Sequence, residues 1–382
     1  MKFTPEYPSS IYAMVVRNLF RSLSVVCIAI VLVGAMTVPA FSQEPAVTYT
    51  TLTAPDAGTK AGQGTFAIAI NDPGTIAGFY VNQGSYNNQT AVFHGFVFST
   101  TGQYTEFDAP KAGTKPGQGT EPAAINVQGK VVGIVYDSAG VEHCFIRNPG
   151  GSFTIVNAPG AGTGKGQGTG CTAINKSGEI AGTYIDAANT SHGFIRTSSG
   201  SLASFDVAGA GTGPDNGTIP ARINDSGTVA GYFVNDNGNH GFFRDVSGTI
   251  TTFDAPGSGG PTGGTSVTAI NASGTIAGQF NNDGGPTHGF VRATNGTFMV
   301  FKVGVVDFAT GINNAGIVVG FTGTTTGYLA FLRASSGSIT KFVPTGCAAH
   351  SVVEASGINT AGDIVGFCGT STGTYVGFLR TP

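Results

Sequence analysis

The chain has 382 residues, 40% of them apolar and only 10% charged, with 61 glycines, no tryptophan and a net charge of −3. So sparse and balanced a charge provides no basic footprint, which argues against nucleic acid and anionic lipid as partners. The length suits two ordinary domains or one large all-β domain.

At the N-terminus, Arg17 and Arg21 precede an apolar run from Leu23 to Val38, and Ala40-Phe41-Ser42 puts small residues where a signal peptidase inspects them. Residues 1–42 are expected to be a signal peptide cut after Ser42; an uncleaved anchor is the alternative. Cys27 opens the apolar run instead of closing it, which argues against a lipoprotein signal. The body of the protein is therefore expected outside the cytoplasm, secreted to the periplasm or the medium, with no part in a membrane after cleavage.

From residue 47 the chain is a repeat. The dipeptide Ile-Asn recurs at Asn71, Asn126, Asn175, Asn224, Asn271, Asn313 and Asn359, each followed three residues later by Gly and four after that by another Gly. A Phe then recurs at Phe96, Phe145, Phe194, Phe242, Phe290, Phe331 and Phe378, at intervals of 47 to 49 residues apart from one of 41. Each unit reads as four strands. The first ends at Ile-Asn, and Asn-x-x-Gly supplies a tight turn with Gly in the left-handed region. In the first unit Pro73 stands at a position that type I turns disfavour, so a shifted turn is expected there. The second strand is β-branched and aromatic, as in Thr228–Phe233; the third is His240–Arg244; the fourth is Thr249–Pro256. A four-stranded unit at this period predicts a β-propeller blade.

The last unit stops at Arg380 without a fourth strand, whereas residues 47–55 match the fourth-strand pattern with no unit before them. The expected fold is all-β: a single seven-bladed β-propeller over 47–382, closed by the N-terminal strand completing the last blade, and monomeric. An open solenoid would not explain the split unit. The order Ile-Asn-x-x-Gly, a Gly-containing strand, His-small-Phe and a Thr-x-Phe-Asp strand resembles the HAF-type extracellular repeat proteins of bacteria over 47–382. Here the tripeptide is His-Gly-Phe, and Arg follows two residues later where that family often has Trp. The resemblance implies secretion and repeat architecture, and no particular chemistry.

Cleavage would leave Cys144, Cys171, Cys347 and Cys368 in an oxidising compartment. Cys144 and Cys171 occupy repeat positions that elsewhere hold Gly, Ala, Pro or Val, so buried free thiols suit both. Cys347 and Cys368 fall outside the pattern and are the expected disulfide.

Catalytic chemistry finds little support. His94, His143, His192, His240 and His288 are one position seen five times, replaced by Leu329 and Val376 in the last two units, and a general base needs one asymmetric site. They are expected to pack; His350 alone lies off the pattern. The arginines at Arg147, Arg196, Arg244, Arg292, Arg333 and Arg380 could pair with the fourth-strand Asp, as Arg196 with Asp206 or Arg244 with Asp254. A packed stem with the head on backbone carbonyls is the preferred reading. The loop Gly160–Thr169 has Gly166 where a phosphate loop needs Ser or Thr, and neither Asn235–Asn239 nor Asn281–Gly284 has the acidic density of a calcium loop. No cofactor, metal or catalytic residue is expected. The acids lie mostly in turns (Asp72, Asp225, Asp363), with no off-repeat group standing out.

Binding remains. In a propeller the linker between blades and the turn between second and third strands emerge on one face, which places Lys60, Lys115 and Lys165 there. Tyr80, Tyr184, Phe233 and Phe280, near the end of the second strand, are the aromatic candidates for stacking on a sugar, with packing between blades as the competing reading. The expected function is a secreted non-catalytic protein that binds a polysaccharide, another cell-envelope component or a surface protein. The alternative is an extracellular propeller hydrolase or lyase acting on polysaccharide.

Overall fold

The computed structural model describes residues 47–325, 327–348 and 351–382; the segment read as a signal peptide and His350 lie outside the described residues. Strands dominate the described residues, and the one helical element among them is the short 3-10 turn Tyr86–Asn88. No helix there is long and apolar enough to cross a membrane. Unit four is representative. Gly217–Ile223, Val229–Asn235, Gly238–Arg244 and Ile250–Phe253 pair antiparallel in chain order. The fourth strand is shorter than the sequence suggests. Pro256 cannot donate to a ladder, and the chain leaves the sheet at Asp254, with the Ala255 N–H donating to Thr265 Oγ1 (2.8 Å) in the next unit.

Two glycines show why the repeat is spelled as it is. Gly227 closes the Asn-x-x-Gly turn at φ +83°, where a β-carbon would be strained, and its N–H donates to the Asn224 carbonyl at 3.0 Å. Gly241, inside His-Gly-Phe, lies under the Phe253 side chain, and an added β-carbon would sit 2.6 Å from that ring. The turn at Pro73 is not shifted, contrary to expectation. Gly74 N–H reaches the Asn71 carbonyl (2.9 Å) and Thr75 N–H reaches Asn71 Oδ1 (2.8 Å), as in the other units. Those two bonds hold the turn against the clash that Pro73 imposes on Asp72.

The core lies among the inner strands. Gly168–Ile174 is buried throughout, whereas the fourth strand Leu202–Phe205 is half exposed. First strands contact one another in unit order, and Val353–Ile358 of unit seven contacts Gly64–Ile70 of unit one. Between units the repeated Phe and Arg form a common joint. The Phe ending one fourth strand meets the next unit's third-strand Phe, as in Phe205–Phe242 (6.0 Å) and Phe253–Phe290 (6.5 Å). The next unit's Arg then caps that ring: Arg244 over Phe205 at 5.3 Å, Arg292 over Phe253 at 4.7 Å, Arg380 over Phe342 at 5.3 Å. Such cation–π contacts contribute about 0.5–2 kcal/mol each, depending on desolvation.

The N-terminal strand Thr48–Leu52 pairs antiparallel with Tyr375–Thr381. It sets Leu52 opposite Gly377, the register in which Phe107, Phe205, Phe253 and Phe301 oppose Gly95, Gly193, Gly241 and Gly289. The backbone ladder is not continuous around the units. A parallel bridge joins most neighbours, as Glu142 to Gly168 and Tyr375 to Gly64, but unit six, Asp307–Phe342, forms a separate sheet. Single bonds flank it, Asp307 N–H to the Thr287 carbonyl and Tyr328 N–H to the Ser351 carbonyl, both 3.1 Å. This is the short unit, and the buried Asp307 carboxylate ties its linker down by accepting from the Val303 and Gly304 amides.

Cys347 and Cys368 form a disulfide, and so do Cys144 and Cys171, which corrects the reading of the latter two as free thiols. The third strand of one unit lies beside the first strand of the next, so these positions face each other with Cα atoms 5.1 Å apart. Elsewhere the same joint is a small pair such as Gly193 against Pro220.

Candidate ligand-binding site

The two ends of the first strands differ. At the Ile-Asn end, each asparagine amide donates from Nδ2 to the backbone carbonyl of the next unit's asparagine. The bonds run Asn71 to Asn126, Asn175, Asn224, Asn271, Asn313 and Asn359, and Asn359 donates back to Asn71, at 2.9–3.3 Å. Each Oδ1 accepts from the amide four residues on, at 2.8–3.0 Å. The Ile-Asn pairs surround a cavity of about 290 Å³ at this end. The asparagine amides are spent on one another and on their own turns, which suits a structural seam, and Asp72, Lys176 and Asp225 line the cavity as well.

At the opposite end the linkers and the turns between second and third strands meet. Gln63 and Gln118 each accept a linker amide at Oε1 and donate from Nε2 to a turn carbonyl, Gly84 and Ser138. Lys60, Lys115 and Lys165 are exposed on these linkers. The four aromatic candidates are not brought together. Tyr80, Tyr184, Phe233 and Phe280 are buried in four separate clusters. Each packs on its own histidine, as Tyr184 on His192 at 4.8 Å and Phe233 on His240 at 4.9 Å. They serve the units, and no shared aromatic surface results.

The histidines have polar partners that the sequence reading did not assign. His94, His192 and His240 donate from Nδ1 to Asp108, Asp206 and Asp254 at 2.9–3.0 Å, and His143 reaches Asn157 at 2.7 Å. The fourth-strand Asp thus pairs with His, not with Arg. The heads of Arg147, Arg244, Arg292 and Arg333 lie over Phe rings and donate to a neighbouring carbonyl, as Arg244 Nη1 does to Asp245 at 3.3 Å. These pairs repeat around the units and define no single reaction centre.

What does not repeat is the layer where the first strands begin. Equivalent register positions hold Phe66, Glu121, Gly170, Ile219, Ser266, Phe308 and Glu354, opposite Phe79, Ile134, Thr183, Tyr232, Gln279, Phe321 and Phe367. On one side this layer is aromatic. Phe66 touches Phe79, Tyr86, Phe367 and Tyr375 with centroids 4.6–4.9 Å apart. Tyr375 Oη donates to Asn87 Oδ1 at 2.5 Å, tying the turn that carries Tyr86 over this end. On the next side it is acidic. Glu121 accepts from Tyr136 Oη at 3.2 Å, and burial together with Glu121 and Glu142 pushes that phenol well up. Further round it is amide and hydroxyl, with Asn239 Nδ2 on Ser266 Oγ at 3.0 Å.

Glu354 borders the aromatic part, directly opposite Phe367. The residue is half-buried, but its Oε2 is sealed from solvent without a hydrogen-bond partner. Burial pushes its carboxyl up to about 8. Tyr328 and Tyr375 are raised too, by burial first and then by the nearby Glu354 charge. The sequence reading missed Glu121, Glu142 and Glu354 because it looked for acids outside the repeat. The available signal was a position inside the strand register where residue chemistry is not kept. Among the described residues no group of His, Cys, Asp and Glu could hold a metal ion.

No protein-family model matches the chain, and no curated protein matches it. Among solved structures, a catalytically inactive virginiamycin B lyase from Staphylococcus aureus, with quinupristin, has a TM-score of 0.57 and 14% identity, covering 88% of this chain and 99% of that one. The BP39L lectin from Burkholderia pseudomallei gives a TM-score of 0.46 at 12% identity, over 84% of this chain and 95% of that one. TolB from Acinetobacter baumannii gives 0.43 at 10% identity, over 80% of each. These neighbours are β-propeller proteins, and the likeness to the lyase establishes an all-β, propeller-like fold.

Proposed function

We propose that the chain is a secreted, non-catalytic seven-bladed β-propeller of the HAF-type repeat kind. In this reading the N-terminal strand completes the last blade, and the linker end binds a glycan or another cell-envelope component. The observation that carries the binding role is the asymmetric layer of aromatic, carboxyl and amide side chains at the linker end, largely buried, with Tyr86, Tyr328 and Glu354 half-buried at its margin. Blade number and closure draw support from the shared register of Leu52 and from the cycle of asparagine amides. Export draws support from two disulfides, which persist in oxidising compartments.

The test is a glycan array and an envelope pull-down with the full chain. Saturable binding that falls at least about tenfold in Tyr86→Ala, a half-buried ring at this end, supports the reading; such losses match one stacked aromatic. Binding indifferent to Tyr86 would overturn it. The second reading, an extracellular hydrolase or lyase, rests on Glu354, whose raised carboxyl could hold a proton near neutrality. Turnover of a chromogenic polysaccharide panel that disappears in Glu354→Gln would favour it.

A further inference from the structure

We propose that the linker end carries a subsite for an ammonium group, seated between the Glu354 carboxylate and the half-buried rings of Tyr86 and Tyr328. The inference rests on the reading of this end as the binding site. Glu354 lies directly opposite Phe367 in the antiparallel register, so both side chains share one face of the sheet. Phe367 is 6.0 Å from Tyr375 and 6.4 Å from Tyr86. Tyr328 comes from the preceding unit, where its ring meets Phe321 edge-on at 5.8 Å. One carboxyl is thus set among several aromatic side chains.

The chemistry selects the ligand. Among the described residues no salt bridge involves Glu354, and its Oε2 has no hydrogen-bond partner. A desolvated carboxylate without a counterion is costly, and among the described residues no amide or guanidinium bonds to its Oε2. An anion would find no counter-charge here. A neutral sugar would leave the carboxyl protonated and the charge unused. A cation answers both features at once, by ion pairing with the carboxylate and by attraction to the negative faces of the rings. Binding would draw the carboxyl back to its ionised form and release its proton to solvent.

The probe is choline, compared with its neutral isostere 3,3-dimethylbutan-1-ol, titrated calorimetrically into the full chain at fixed ionic strength. Choline should bind saturably and at least about tenfold more tightly than the isostere. Its affinity should rise as pH increases toward about 8, where Glu354 ionises unaided, and level off above. Glu354→Gln, which preserves shape, should lose at least about tenfold and flatten the pH profile. Equal binding of the two probes, no binding of choline, or an unchanged Glu354→Gln affinity would overturn the proposal.

A stability profile checks that the variant folds. A raised carboxyl makes the wild type lose stability as pH rises from about 4.5 to about 8, because only the folded state still holds the proton there. Glu354→Gln should lack that decline. A wild type that binds neutral glycans through Tyr86, with Glu354→Gln binding them equally, sinks the ammonium subsite and leaves the binding reading standing.

Discussion

Where the first strand of each unit ends, Asn71 and its six counterparts make the same two kinds of bond, one within the turn and one to the next unit. Where the strand begins, Phe66, Glu121, Gly170, Ile219 and Ser266 occupy equivalent register positions with no chemistry in common. The difference separates two kinds of constraint. A seam between like units must satisfy the same buried backbone groups each time, and one residue type at each step does so. A ligand does not repeat as the units do, so a site for it must depart from the repeat. Uniformity marks what holds the units together, and divergence inside a shared strand position marks where they can act.

The largest effect should come from the joint between units two and three. Replacing both Cys144 and Cys171 with Ala removes a cross-link spanning 27 residues and should cost about 3–4 kcal/mol, read as a lower denaturant midpoint than the wild type under oxidising conditions. A midpoint unchanged by the double substitution would mean that packing alone holds this joint. Next comes Asn224→Ala at the uniform end. It deletes the bond to the Asn271 carbonyl (3.1 Å) and the acceptor for Thr228 and Ser226, for about 2–3 kcal/mol at roughly 1 kcal/mol per bond. Chemical denaturation measures it, and a loss under about 0.5 kcal/mol would remove the asparagine cycle from any structural role.

Much of the architecture is legible in the sequence, since strand order, turn position and the Phe period all follow from local pattern. What escapes it involves neighbours across a boundary. The Cys144–Cys171 bond depends on which strand of one unit faces the next, and no local period carries that information. The His–Asp pairs were within reach: Asp108, Asp206 and Asp254 occur in units that carry the histidine, and the unit with Leu329 has Val343 at the Asp position. The four aromatic candidates lie apart for a physical reason. A ring at the end of a second strand packs against the histidine opposite it, as Phe233 opposes His240, so each ring belongs to its own unit and not to a shared surface. Of the layer at the linker end, Glu121 and Glu354 were visible only once strands were aligned by register and no longer by motif.

The smallest effect sharpens the comparison most. Gln279 is 2% exposed and lies in the divergent layer, with Oε1 buried and lacking a hydrogen-bond partner. A buried acceptor left unpaired costs free energy, so the amide is a liability to the fold. Gln279→Met keeps length and flexibility while removing the polar group, and it should leave stability unchanged or raise it by up to about 1 kcal/mol. Asn224→Ala, buried to a similar degree, should do the opposite. Thermal denaturation of the two variants side by side decides the point. If Gln279→Met destabilised as much as Asn224→Ala, the amide would be structural and the contrast between the two ends would fail. If it is neutral or stabilising, the fold has no need of the amide, which is the property that distinguishes this end from the seam.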